Sequence, residues 1–165
     1  MLRATSYVLS AEARERKLSG FDLVVLDHGE RRVRRRLLTL VHGDEVLVDL
    51  PFTVGFDNGD LLVLDDGRYV DVIAAEELLY EVRGRDMTHL MQLAWHLGNR
   101  HLPVQIEPEW EGIGHRILIL RDHVIGDMLV GLGATVSEIS EPFHPLNGAY
   151  HGHSHGDTSH ALLNK

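Results

Sequence analysis

His96-Leu97-Gly98-Asn99-Arg100-His101-Leu102-Pro103-Val104-Gln105-Ile106 changes backbone period within a few residues. Gly98-Asn99 stops a helix, and Pro103 followed by alternating Val104 and Ile106 opens a strand. Upstream, Asp86 reads as the cap of that helix, with Met87, Leu90, Met91, Ala94 and Leu97 at helical spacing. Residues 77–82 before it read as a strand. Downstream, 104–106 and 116–120 read as strands, and Asp122 caps a second helix with Val124, Ile125, Met128, Leu129 and Leu132 apolar. Gly131 or Gly133 stops that helix, and 134–139 closes the set. The order β-α-β-β-α-β predicts a ferredoxin-like split βαβ unit.

Before this unit the chain reads as β. Short apolar runs at 22–26, 37–41, 45–50, 61–64 and 69–73 alternate with turn signals at His42-Gly43-Asp44, Asp57-Asn58-Gly59-Asp60 and Asp65-Asp66-Gly67. Asp66-Gly67 between the last two runs is the clearest hairpin, because Gly supplies the positive φ of a tight turn. Such spacing predicts a small barrel or sandwich. After about Glu141, Pro, Gly, Ser and His replace the apolar pattern, which predicts a flexible end. The expected class is therefore α+β, with a β-rich domain at 1–74, a ferredoxin-like domain at 75–145 and a histidine-containing tail at 146–165.

Composition narrows the function. The 165 residues carry a net charge of −9, which opposes general affinity for nucleic acid or anionic membrane. No apolar run approaches the roughly 18 residues that span a bilayer, and the first residues lack a signal-peptide core, so a soluble cytoplasmic protein is expected. The basic run Arg31-Arg32-Val33-Arg34-Arg35-Arg36 runs against the overall charge. In a strand, Arg32, Arg34 and Arg36 would share one face opposite Val33, either as a docking patch or as a solvated edge protected from aggregation.

With 12 His and no Cys, any metal site must use imidazole rather than thiolate. His151, His153, His155 and His160 lie close together in the tail, where a flexible chain can wrap several rings around Ni²⁺, Cu²⁺ or Zn²⁺. His101 falls at an exposed helix-to-strand turn. A single imidazole holds a divalent ion poorly, but a two-fold axis would bring a second copy beside it. An ordinary surface histidine fits the same spacing. His96 reads as a polar flank of the first helix, and His123 sits in the first turn of the second, where the helix dipole favours the neutral ring. His28, His42, His89, His115 and His144 read as structural or incidental. No nucleophile elbow, phosphate loop, dinucleotide fingerprint or His-Glu-x-x-His helix is present, so no enzyme activity is expected.

The stretch at 96–106, Asp122-His123-Val124-Ile125-Gly126-Asp127-Met128-Leu129, Gly131-Leu132-Gly133 and Pro142-Phe143-His144-Pro145-Leu146-Asn147-Gly148-Ala149-Tyr150 together resemble the urease accessory protein UreE family. The resemblance implies a homodimeric nickel metallochaperone, with an N-terminal β domain that contacts partners. It implies an interfacial nickel ligand at His101 from each subunit, secondary metal-associated histidines at His96 and His123, and terminal ligands among His151, His153, His155 and His160. The implied partners are the urease apoprotein complex and its maturation GTPase, and metal-bound dimers could pair into tetramers. This chain departs from the family pattern at Leu120-Arg121, where some relatives carry a histidine, and at Gly126, where an acidic residue is common. Competing readings are a metal-storage protein without a delivery role, an RNA-binding β-α-β-β-α-β module and a metal-dependent hydrolase. RNA modules of this order stack bases on strand aromatics, and residues 116–120 have none.

Overall fold

Gly67, at φ 86°, turns the chain from β5 (Leu61–Leu64) into β6 (Tyr69–Ala74), as the Asp-Gly pair predicts. Around this hairpin a computed structural model describes residues 2–109, 112 and 114–148. β1 (Leu2–Val8), β2 (Asp22–Leu26), β3 (Arg32–Thr39) and β4 (Glu45–Gly55) join it in a six-stranded sheet ordered β2-β6-β5-β1-β4-β3. The β1–β4 and β2–β6 pairs are parallel. No long helix covers this sheet, so it curls to bury one face against itself. Val24, Val33, Leu38, Val46, Val48, Leu62, Val70 and Val72 fill that interior. The curl brings the chain after β3 back to β2, where Val41 N–H donates to Leu23 O at 2.9 Å. A short helix, α1 (Ser10–Glu15), closes one end through Ala13 packed with Val8 and Leu61.

The basic run does lie on an edge strand, but not with simple alternation. A bulge between Val33 and Arg35 shifts the register against β4, and Val33 and Leu38 are both buried. Arg34, Arg35 and Arg36 are consequently all exposed, and Arg31 is withdrawn into the protein. Arg36 pairs with Glu30 at 2.9 Å, and Arg35 lies 3.9 Å from Asp49. These charges make the edge a solvated one.

The second sheet follows the predicted order: β7 (Glu76–Arg83), α2 (Met87–Gly98), β8 (Gln105–Glu107), β9 (Arg116–Leu120), α3 (His123–Gly131) and β10 (Thr135–Pro142). Strands are ordered β10-β7-β9-β8, the ferredoxin-like arrangement. Asp86 accepts from His89 N–H, and Asp122 accepts from Val124 and Ile125 N–H, so both predicted caps are made. Gly133, at φ 82°, ends the second helix turn. Leu90, Leu93 and Leu97 pack with Leu129, Val82, Ile117 and Ile119 between helices and sheet. Met87 and Met91, expected on the apolar face, instead point outward with Trp95, and Leu93 takes the inner position. The opposite sheet face buries Leu79 and Leu118 under Phe143. Beside them Arg116 pairs with Glu81, Glu107 and Glu141 at 2.6–2.8 Å. On that face Phe143 is fully buried and Arg116 is engaged by carboxylates, so neither is free to stack on or pair with an RNA base. Among the described residues, no helix is long and apolar enough to cross a membrane.

Candidate metal site

The end of α2 is built from three successive backbone bonds. Asn99 N–H donates to Trp95 O at 3.0 Å, Arg100 N–H to Leu97 O at 3.1 Å and His101 N–H to Gly98 O at 3.0 Å. His101 then takes the left-handed conformation at φ 56°, which reverses the chain toward Pro103 and β8. Such a φ is uncommon outside Gly, although His is among the residues that tolerate it best. The imidazole is left exposed at the rim, as the sequence predicts.

His101 does not stand on an open plain. With Leu102 and Pro103 it lines one wall of a cleft of about 800 Å³, and residues 145–148 line another. His28, Arg31, Phe56, Asp57 and His144 also face this cleft, so it runs between the two sheets. Two hydrogen bonds hold the segment after β10 in place. Leu146 N–H donates to Val104 O at 2.8 Å, and His144 N–H donates to Gln105 Oε1 at 2.8 Å. The chain that leads to the tail therefore departs beside His101. His151, His153, His155 and His160 lie outside the described residues.

The other expected ligands sit apart. His96 is half-buried in the last turn of α2, its ring edge-on to Trp95 with centroids 5.2 Å apart. It borders a groove of about 450 Å³ on the outer face of α2 with Met91, Gln92, Trp95 and Leu132. His123 is the exposed first residue of α3. Among the described residues of one chain, no three His, Asp or Glu side chains converge to hold an ion. Any tight site based on His101 must draw further donors from a second copy or from the tail.

His89, His28 and His42 have structural work. Buried His89 accepts from Arg85 N–H at Nδ1 and donates from Nε2 to Leu132 O at 2.8 Å, tying the start of α2 to the end of α3. His28 Nδ1 lies 2.7 Å from Glu77 Oε1, and His42 Nδ1 lies 2.7 Å from buried Asp22. His144 differs from these. Burial and then the Arg31 guanidinium push its pKa below the ordinary histidine value, against the pull of Asp57, Glu107 and Glu77. The sequence places Arg31 only within the basic run and His144 only among the structural or incidental histidines, with nothing to join the two. Five neighbouring arginines are no guide to which one is buried, and a histidine between prolines has no period to place it.

Two family models together match residues 8–163 except residue 76. A family model described as UreE urease accessory protein, N-terminal domain, matches residues 8–75, and one described as UreE urease accessory protein, C-terminal domain, matches residues 77–163. The urease accessory protein UreE of Rhizobium leguminosarum bv. trifolii (strain WSM2304) is 53% identical over 160 residues, 97% of this chain and 77% of that protein. That of Rhizobium meliloti (strain 1021) is 57% identical over 134 residues, 81% of this chain and 83% of that protein. That of Agrobacterium fabrum (strain C58 / ATCC 33970) is 51% identical over 158 residues, 94% of this chain and 92% of that protein.

Proposed function

This chain belongs to the UreE urease accessory protein family and so has a role in urease maturation, within which we propose that it carries Ni²⁺ and delivers it to apo-urease without itself being an enzyme. The observation that carries this reading is the juxtaposition of His101 with the root of the histidine tail. Gly148 lines the same cleft as His101, and His151 follows three residues later. At about 3.3–3.6 Å per residue, those residues reach roughly 10 Å from the root. That reach is enough for a tail imidazole to enter the cleft that His101 lines.

His101 from each of two subunits would form the base of the site in an isologous homodimer. The outward Met87, Met91 and Trp95 give α2 an apolar flank suited to such an interface, which also carries His96. Tail histidines His151, His153, His155 and His160 complete the shell, with His123 as a peripheral ligand on α3. The site is open to exchange, because its donors arrive on an exposed turn and a tail rather than in a closed cage. Ligands can then leave one at a time as a partner accepts the ion. Zn²⁺ and Cu²⁺ satisfy the same neutral donors, so selectivity for nickel comes from availability and geometry. We place the protein in the cytoplasm with the urease apoprotein complex and its maturation GTPase, and extend the metal-bound dimer to a tetramer around shared ions.

Nickel calorimetry on the intact chain and on His101→Ala, with mass measured in parallel, tests the proposal. The expected result is about one tight ion per dimer in the wild type, lost in His101→Ala while the dimer persists. A mutant that binds as well as the wild type would leave His101 a turn residue and confine metal to the tail. That outcome fits the storage reading instead.

A further inference from the structure

Arg31 is the member of the basic run that leaves water, with 4% of its surface exposed. A buried guanidinium is costly unless its N–H groups find acceptors. Its two Nη groups find them on both sheets, while Nε has no partner among the described residues. Nη1 donates to Phe56 O, just after β4, at 3.4 Å, and Nη2 donates to Phe143 O, just after β10. Nη1 also lies 3.0 Å from His144 Nδ1. Because arginine keeps its proton, Nδ1 must be the acceptor, and His144 is held as the neutral Nε2–H tautomer. Phe143 is itself fully buried against Leu79 and Leu118, with the His28 ring edge-on at 5.1 Å.

On its far side the same segment is held by β8 and its approach, through His144 N–H to Gln105 and Leu146 N–H to Val104. Residues 143–146 are thus clamped between Arg31 and a stretch that begins three residues after His101. We infer that Arg31 and His144 form a latch between the two sheets that positions the root of the histidine tail against His101. The inference rests on the nickel-carrier reading for its purpose but on the hydrogen bonds alone for its existence. A fixed root keeps the local concentration of tail imidazoles at His101 high, as a short tether does. With the root loose, the same histidines search a larger volume and nickel affinity falls, on the order of tenfold.

Protonation of His144 would set a second cation against Arg31, so the latch is weakest in acid. The other charges facing His144 are Asp57, Glu77 and Glu107, and Asp57 Oδ1 lies nearest at 3.7 Å. Asn places its Oδ1 where His144 has Nδ1 and accepts from Arg31 at any pH, so His144→Asn separates the latch from titration.

The experiment uses the full chain. Amide hydrogen exchange at Leu146, measured without metal and expressed as a protection factor, reads the latch directly. Nickel calorimetry on the same samples reads its purpose. In Arg31→Met and His144→Ala, Leu146 exchange is expected to rise roughly tenfold or more while the amides of β4 and β9 keep their protection, and nickel affinity to fall about tenfold. In the wild type the Leu146 protection factor drops as pH falls below about 6.5, and in His144→Asn it does not. Unchanged Leu146 protection in both Arg31→Met and His144→Ala overturns the latch. Raised exchange with unchanged nickel affinity overturns its positioning role. If His101→Ala binds nickel like the wild type, the carrier reading fails while the metal-free exchange still decides the latch. Should Arg31→Met not fold, His144→Ala, at a residue on the cleft surface, carries the same arms.

Discussion

Replacing His101 by Gly should leave the protein at least as stable as the wild type and remove its tight nickel site. The reasoning starts from φ 56° at a non-glycine residue. A left-handed backbone costs an ordinary L-residue about 1–2 kcal/mol, and His bears less of it than most. Glycine has no such cost but loses more chain entropy on folding, about 0.5–1 kcal/mol. The two nearly offset, so His101→Gly should lie between no change and about 1 kcal/mol of added stability. His101→Ala keeps the steric cost without the local tolerance of His and should lose up to about 1 kcal/mol. Because the ring is exposed, neither substitution opens a cavity. The informative quantity is thus the Gly-minus-Ala difference, about 1 kcal/mol in favour of Gly, the reverse of the order within a helix. For a chain of this size it corresponds to about 2–4 °C in Tm. Urea and thermal unfolding of the three metal-free proteins, followed by circular dichroism and tryptophan fluorescence, would measure it. An Ala variant as stable as the Gly variant would refute the left-handed turn at 101. Retention of the tight ion by His101→Gly would refute the ligand assignment independently.

Further predictions concern the frame that holds this turn. A Cβ at Gly126 would lie 3.1 Å from the Tyr80 ring, whereas one at Gly131 meets nothing within 4 Å. Gly131→Ala should therefore gain up to about 1 kcal/mol from helix propensity, and Gly126→Ala should gain less or lose stability; equal gains in thermal scans would argue against the contact. Asp122→Ala removes the acceptor of two N–H groups and should cost about 1 kcal/mol, read as a lower midpoint in urea. His144 has its pKa lowered in the fold, so its contribution is complete above about 6.5 and is lost as pH falls from there through the folded value. Glu81, held below the ordinary carboxylate range first by Arg83 and then by Arg116, contributes above about 4.5 and loses that stability as pH falls through its lowered value. Unfolding midpoints across pH 3–8 should thus show two declines, and His144→Asn should lack the upper one.

The second sheet was largely legible because its signals are local. Asp86 and Asp122 are side-chain caps, Gly133 is a stop, and the continuous apolar run at Ile117–Leu120 marks β9. What escaped was decided by distant contacts. α1 spans six residues and has Leu9 at its N-cap, which makes no side-chain cap, so neither period nor cap announces it. β1 carries Arg3, Thr5 and Ser6 among its apolar residues, and its parallel partner lies some forty residues away. The apolar side chains of α2 fit two neighbouring stripes, and only the position of β9 selects Leu93 over Met91 for the interior. For the site, His101 at a helix-to-strand turn was visible from Gly98-Asn99 and Pro103. The cleft beside it was not, because its other wall arrives from more than forty residues downstream.

β6 ends at Ala74 and β7 begins at Glu76, so Ala75 alone joins the two sheets, with its N–H donated to Leu26 O at 2.9 Å. Beside it, Glu77 takes both the N–H and the ring of His28, at 2.9 and 2.7 Å. Such a joint has almost no slack along the chain, and the His28–Glu77 and Arg31–Phe143 bonds beside it brace the two sheets against rotation as well.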